Sequence, residues 1–191
     1  MKFINKNTIE LEKEINELDN LVFRFINILK KYADYVVISG YVAILLGRSR
    51  TTEDVDVFIK EIDKNSFDKF YKELQANGFW CLNSEDANEI FDYLENGLAA
   101  RFALENTTIP NFEVKIARKP LDKESFTDRI TAVTKTGSIF ISSIERQVAF
   151  KRYYLKSEKD IEDAKYMEEI FKENLDIQKI NKYKNLLTRP R

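Results

Sequence analysis

The sequence predicts an α/β (α+β) protein: a small mixed β-sheet flanked by helices, followed by a C-terminal helical bundle. Three observations predict it. Short apolar runs of β-prone residues alternate with longer stretches of helical period as far as Ile141. Gly47, Asn77-Gly78 and Asn96-Gly97 punctuate those stretches where a chain stops or turns. From Ser143 onward the period is helical throughout. The division falls near Ile141-Ser142-Ser143 and separates an α/β domain, 1–142, from a helical domain, 143–191.

The elements follow in order. Leu11, Ile15, Leu18, Val22, Phe25 and Leu29 form one apolar stripe and predict a helix over 7–32, capped by Asn7 or Thr8. Tyr35-Val36-Val37-Ile38 is a continuous apolar run, as for a strand covered on both faces. Ser39-Gly40 breaks the pattern, and 41–47 form a short helix closed by Gly47. Asp54 to Ile59 alternates as a strand. A helix over 63–76 carries Phe67, Phe70, Tyr71 and Leu74. Phe79 to Leu82 is a short strand, 84–95 a helix, and 98–104 and 112–117 are strands with Pro110 between them. Pro120 and Asp122 open a short helix through Phe126, and β-prone stretches at 130–134 and 138–141 flank Gly137. Helices are expected over 143–156, 158–172 and 176–187.

Composition excludes several chemistries. The 191 residues contain no His, which removes His-based triads, His-ligated zinc and imidazole acid–base catalysis. The single Cys81 allows neither a disulfide framework nor a Cys-rich metal site. It reads as a small buried hydrophobe and fits a reducing cytoplasm, the expected location. No apolar run approaches the ~20 residues of a membrane span, and the N-terminus lacks the apolar region of a signal peptide. A net charge of −1 offers no bulk basic footprint for duplex DNA. The charge is uneven: 145–191 carries +3 and 1–144 carries −4. A basic tail of Lys179, Lys182, Lys184, Arg189 and Arg191 can touch phosphate or simply end a solvated helix.

The informative stretch runs from Val37 to Val57. In a strand, residues two apart share a face, so Asp54 and Asp56 project together while Val55, Val57 and Ile59 face the core. Two adjacent carboxylates raise each other's pKa unless a cation neutralises them. A hard divalent cation is the natural partner, and Mg²⁺ typically takes one or two carboxylates plus phosphate oxygens. The same pair also fits the solvent side of an edge strand. One element earlier, a buried strand runs into Ser39-Gly40 and then a helix. Gly40 permits close approach of a phosphate, and a helix N-terminus offers free N–H groups.

The run Ser39-Gly40, Gly47, Arg50-x-Thr52-x-Asp54-x-Asp56 resembles the nucleotidyltransferase fold of DNA polymerase β type. It is most similar to the small prokaryotic branch that includes the AbiEii-type toxins of abortive-infection and toxin–antitoxin systems. Ser39-Gly40 stands where that branch has Gly-Gly or Gly-Ser. Ile144-Glu145, Lys151 and the run Ser157 to Ala164, with Asp160 and Asp163, resemble its later motif. The resemblance covers about 35–165. It implies an Mg²⁺- or Mn²⁺-dependent enzyme that moves an NMP from an NTP to a hydroxyl. Asp54, Asp56 and a third acid would hold metal. Ser39, Gly40, Arg50, Thr52, Lys151 and Asp160 would bind nucleotide, with Lys151 also in the catalytic set. The acceptor would be tRNA, other RNA or a protein, and the partner a cognate antitoxin.

The residues themselves leave alternatives open. Ile144, Val148, Lys151 and Leu155 share a stripe, so Lys151 either reaches the acidic pair or a triphosphate, or snorkels along the helix edge. Asp160 also fits the third position after a Ser157 cap. Glu113 is the acid available on the strand 112–117 for the third carboxylate, and it also fits a surface pair with Lys115; Arg101 can share its face. Asp54 or Asp56 with Glu113-x-Lys115 imitates a metal-dependent nuclease. The separation of 57 positions from Asp56 to Glu113 speaks against adjacent strands there, and Ser39-Gly40 has no part in that reading. A third reading is a silent nucleotide- or RNA-binding module of the same fold.

Overall fold

The computed structural model describes residues 1–188; Arg189 and Arg191 of the basic tail lie outside the described residues. The strands are β1 (Lys2–Asn5), β2 (Thr8–Glu10), β3 (Tyr35–Val37), β4 (Asp54–Ile59), β5 (Phe79–Cys81), β6 (Ala100–Leu104), β7 (Asn111–Ile116), β8 (Ile130–Thr134) and β9 (Gly137–Ile141). The helices are α1 (Glu17–Leu29), α2 (Gly40–Leu45), α3 (Lys64–Ala76), α4 (Ala87–Glu95), α5 (Pro120–Glu124), α6 (Ile144–Phe150), α7 (Glu158–Ile170) and α8 (Ile177–Leu187).

The strands form one mixed nine-stranded sheet in the order β1-β2-β8-β9-β3-β4-β7-β6-β5. The predicted fold class stands, with a sheet larger than the sequence suggests. Its centre is β3, antiparallel to β4, which runs parallel to β7. Alternation along β4 sets two environments. Val55, Val57 and Ile59 are at most 1 % exposed, while Asp54, Asp56 and Phe58 are half-buried on the other face. The buried face packs on α1 and α3 through aromatic rings. Phe25 of α1 stacks on Phe112 of β7 with centroids 3.9 Å apart, and Phe70, Phe79 and Phe102 close around it. This layer leaves the opposite face of β4, β7 and β6 to polar side chains.

Two expectations need correction. The helix predicted over 7–32 begins at Glu17, and its cap is Asn16, not Asn7 or Thr8. Asn16 and Asp19 form a reciprocal capping box, with side-chain to backbone bonds of 2.8 and 3.0 Å. Residues before it are strands: Thr8–Glu10 pairs parallel with β8, and Leu11 N–H donates to the Val133 carbonyl at 2.8 Å. Ile9 and Leu11 both turn inward, a spacing of two that the helical stripe masked. The helix expected over 143–156 is α6 followed by a π-helical turn, Lys151–Leu155, which ends at Lys156 in the left-handed region (φ 62°). Among the described residues no helix is long and apolar enough to cross a membrane.

Candidate active site

The site is built on β4, β7 and the loop on either side of α2. Asp54 and Asp56 lie on the polar face of β4, opposite Asn111 and Glu113 of β7. The separation of 57 positions from Asp56 to Glu113 therefore does not keep their strands apart. The chain spends them on α3, β5, α4 and β6 before returning in parallel, so the spacing argument against a nuclease fails. Thr52 donates its hydroxyl to the Asp54 carbonyl at 2.9 Å and so ties the approach to β4.

Asp56 has a carboxyl pushed up to about 6, first by burial and then by the Asp54 charge; Lys115 and the Ser39 hydroxyl act the other way. Asn111, in register with Asp54, has a buried Oδ1 with no hydrogen-bond partner among the described residues. Two carboxylates under mutual repulsion and a spare amide oxygen suit a hard cation. Among the described residues no group of three or more acidic, His or Cys side chains is arranged to hold an ion. A cation here would draw its remaining ligands from water and phosphate.

Glu113 is not joined to that pair. Its Oε1 accepts from Arg101 Nε at 2.7 Å and its Oε2 from Lys115 Nζ at 3.0 Å. Burial pushes its carboxyl up, but Lys115 and then Arg101 more than offset this and hold it below the ordinary carboxylate range. In this arrangement both its oxygens are ion-paired, as in the pair with Lys115 that the sequence allows, and it stands in register with Asp56.

On the other side, Ser39 lies between β3 and α2 with φ 63° and ψ −136°, a conformation that favours glycine. Helix α2 has only six residues, so its N-terminal dipole is weaker than the sequence reading assumed. What lies over Gly40 is a guanidinium. A methyl group added to Gly40 would sit 3.0 Å from Arg50 Nη2. Arg50 Nε donates to the Thr51 carbonyl at 3.1 Å and Nη1 to Asp163 Oδ2 at 2.5 Å. Nη2 has no acceptor among the described residues.

Lys151 meets neither the acidic pair nor the helix edge, whereas Asp160 takes the third position after the Ser157 cap, one of the two readings the sequence allows. Lys151 is fully buried, and its ammonium donates to Asp160 at 3.0 Å and Asp163 at 2.8 Å. Its ion-pair partners are on α7, not on β4. Asp160 also accepts from the Ser157 hydroxyl at 2.6 Å. Burial raises its carboxyl, but the Ser157 and Lys151 contacts hold it below the usual range. Arg48 and Asp163 received no role from sequence, yet both stand in this cluster. Asp163 lies one helical turn from Asp160, and Arg48 two residues from Arg50; that spacing is the signal each carried.

No protein-family model and no curated protein matches this chain. Solved structures do. The lincosamide antibiotic adenylyltransferase LnuA, in a lincomycin-bound crystal structure, superposes with a TM-score of 0.52 at 14 % identity over 83 % of this chain and 99 % of its own. An antigenic nucleotidyltransferase-like protein from Paracoccidioides brasiliensis gives 0.51 at 18 % identity, over 87 % of this chain and 85 % of its own. The chain has the nucleotidyltransferase fold.

Proposed function

We propose that this protein is a nucleotidyltransferase that moves an NMP from an NTP to an acceptor hydroxyl. The observation that carries the reading is the juxtaposition on one side of the sheet. Two repelling carboxylates on β4 stand beside a Ser39-Gly40 turn with an open Arg50 nitrogen over it. Asp54 and Asp56, with Asn111 Oδ1 at hand, would hold Mg²⁺ or Mn²⁺. Such an ion, when bound, neutralises phosphate charge and polarises the phosphoryl oxygens. Arg50 and the Gly40 backbone would hold the phosphates, and Thr52 steadies the strand end. The acceptor oxygen attacks the α-phosphorus, the bond to the bridging oxygen breaks, and pyrophosphate leaves. The acceptor proton passes to water or to Glu113, which stands in register with Asp56.

The resemblance of 144–164 to the toxin branch's later motif supports an RNA acceptor such as a tRNA end, or a protein hydroxyl. By the same resemblance the protein would be the cytoplasmic toxin of a toxin–antitoxin pair. A second reading, a silent binding module of the same fold, is favoured by the pairing of Glu113 with both Arg101 and Lys115. One assay separates the two. The protein is incubated with Mg²⁺ and each α-labelled NTP, with total RNA, total cell protein and lincomycin as separate acceptors. Asp54→Ala/Asp56→Ala is the control. Label on one acceptor, absent in the control, is the expected result. Nucleotide binding without transfer in every arm favours the silent module.

A further inference from the structure

Three cations of this chain converge on one carboxylate that has no contact with the acidic pair. Asp163 is fully buried. Its Oδ1 pairs with Arg48, and its Oδ2 accepts from Arg50 at 2.5 Å and Lys151 at 2.8 Å. Asp160, with 16 % side-chain exposure, shares Lys151, and Glu162 shares Arg48 but is 64 % exposed and screened by water. The buried centre therefore keeps a surplus of positive charge.

We propose that Asp163 is a positioning residue for the phosphate end of the site, a proposal that rests on the nucleotidyltransferase reading. A guanidinium is planar and rigid, so fixing two of its nitrogens fixes the third. Asp163 takes Nη1 of Arg50, and the Thr51 carbonyl takes Nε. Nη2 is thereby left beside Gly40 with no protein acceptor among the described residues. The group that completes it is an anion small enough to reach the Gly40 backbone: a phosphate of the incoming triphosphate. Asp163 does not touch that phosphate. It sets where the donor points and holds Lys151 and Arg48 behind it.

A plain structural role makes a different prediction. Arg48 joins the loop after α2 to α7 through Asp163, Glu162 and the Lys159 carbonyl, and Tyr166 adds a bond to the Leu46 carbonyl. If Asp163 only docks α7, cutting Arg48 and cutting Asp163 should have the same consequence.

The test measures binding of inorganic triphosphate and of each NTP, with Mg²⁺, by calorimetry on full-length variants whose folding is checked by circular dichroism. Asp163→Asn should weaken inorganic triphosphate binding roughly 10- to 100-fold, the scale of one charged hydrogen bond. Arg48→Gln should lower thermal stability but leave triphosphate affinity within about threefold. Arg50→Ala added to Asp163→Asn should cost little more, because Asp163→Asn already takes the Arg50 donor out of position. If Asp163→Asn does not fold, Arg50→Lys tests the same claim, since it keeps the charge and loses the fork; it should bind triphosphate as weakly. Undiminished binding by the folded Asp163→Asn or by Arg50→Lys, with tight binding by the unsubstituted protein, overturns the proposal alone. Absence of triphosphate binding by the unsubstituted protein overturns the nucleotidyltransferase reading and this proposal together.

Discussion

Asp56→Asn should stabilise the metal-free protein at neutral pH while abolishing nucleotide transfer. An unfolded chain ionises Asp56 near 3.8, whereas the folded site holds it at about 6. The charged form is therefore disfavoured in the fold, and the difference corresponds to about 3 kcal/mol. The sign follows from the direction. Below the unfolded value both states are protonated and there is no penalty. Between 3.8 and about 6 the penalty grows, and above about 6 it is fully present. Asn removes the charge, and with it the repulsion from Asp54. It also weakens the Ser39 hydroxyl's favourable influence on the charge, taken at the roughly 0.5–1.5 kcal/mol of a hydrogen bond. The expected net gain at pH 7.5 is about 2 kcal/mol, shrinking to nothing near pH 4. The assay is urea unfolding of both proteins in chelator at pH 7.5, 6 and 4.5. Mg²⁺ should then stabilise the unsubstituted protein and leave the variant unmoved, because only the former has both carboxylates to bind it. A variant less stable than its parent at pH 7.5, or a difference that does not vary with pH, would refute the reasoning.

Two further outcomes follow from the neighbours of the acidic pair. Lys115→Met removes the partner that does most to offset the burial of Glu113, so that carboxyl should titrate higher; if Glu113 accepts the acceptor proton, the acidic limb of the kcat/KM profile moves to higher pH, and an unmoved limb excludes it. Ser39→Gly relieves a backbone with φ 63° at a position where a side chain costs roughly 1–3 kcal/mol. After the extra chain entropy of glycine and the lost hydroxyl contact, the expected gain is about 1 kcal/mol by chemical denaturation; a loss of stability would show that the Ser39 hydroxyl outweighs the strain.

Much of the fold was legible because local period and tertiary role agree. Asp54–Ile59 places its acids and its Val and Ile residues on opposite faces in sequence and in burial, and the bounds of both Asp54–Ile59 and the β-prone Ile130–Thr134 match the expected ones. The α3 stripe of Phe67, Phe70, Tyr71 and Leu74 is the face it buries. Residues 7–16 read as helix because Leu11 and Ile15 continue a helical spacing, while Ile9 and Leu11 obey a strand's. Pairing with β8, with Thr8 opposite Thr131, settles the choice. The π-helical turn at Lys151–Leu155 has no residue signature; it depends on how α6 and α7 meet around a buried ammonium.

The candidate site divides the same way. By itself the sequence determined that Asp54 and Asp56 share a face, that Ser39-Gly40 interrupts a strand before a helix, and that imidazole and thiolate chemistry are largely absent. Those are statements about neighbours within a few residues, where backbone geometry leaves little freedom. Only the tertiary structure decided which charges meet. Arg50 read as a cation for phosphate and Lys151 as one for phosphate, for the acidic pair or for the helix edge, but a carboxylate on α7 takes part of each. Glu113 read either as a third carboxylate or as a pair with Lys115, and the fold adds Arg101 from β6 to that pair. A buried charge must find an opposite charge or a polar partner wherever the fold brings one. For Arg50 and Lys151 that partner, Asp163, comes from a distant part of the chain, and spacing along the sequence carries no record of it.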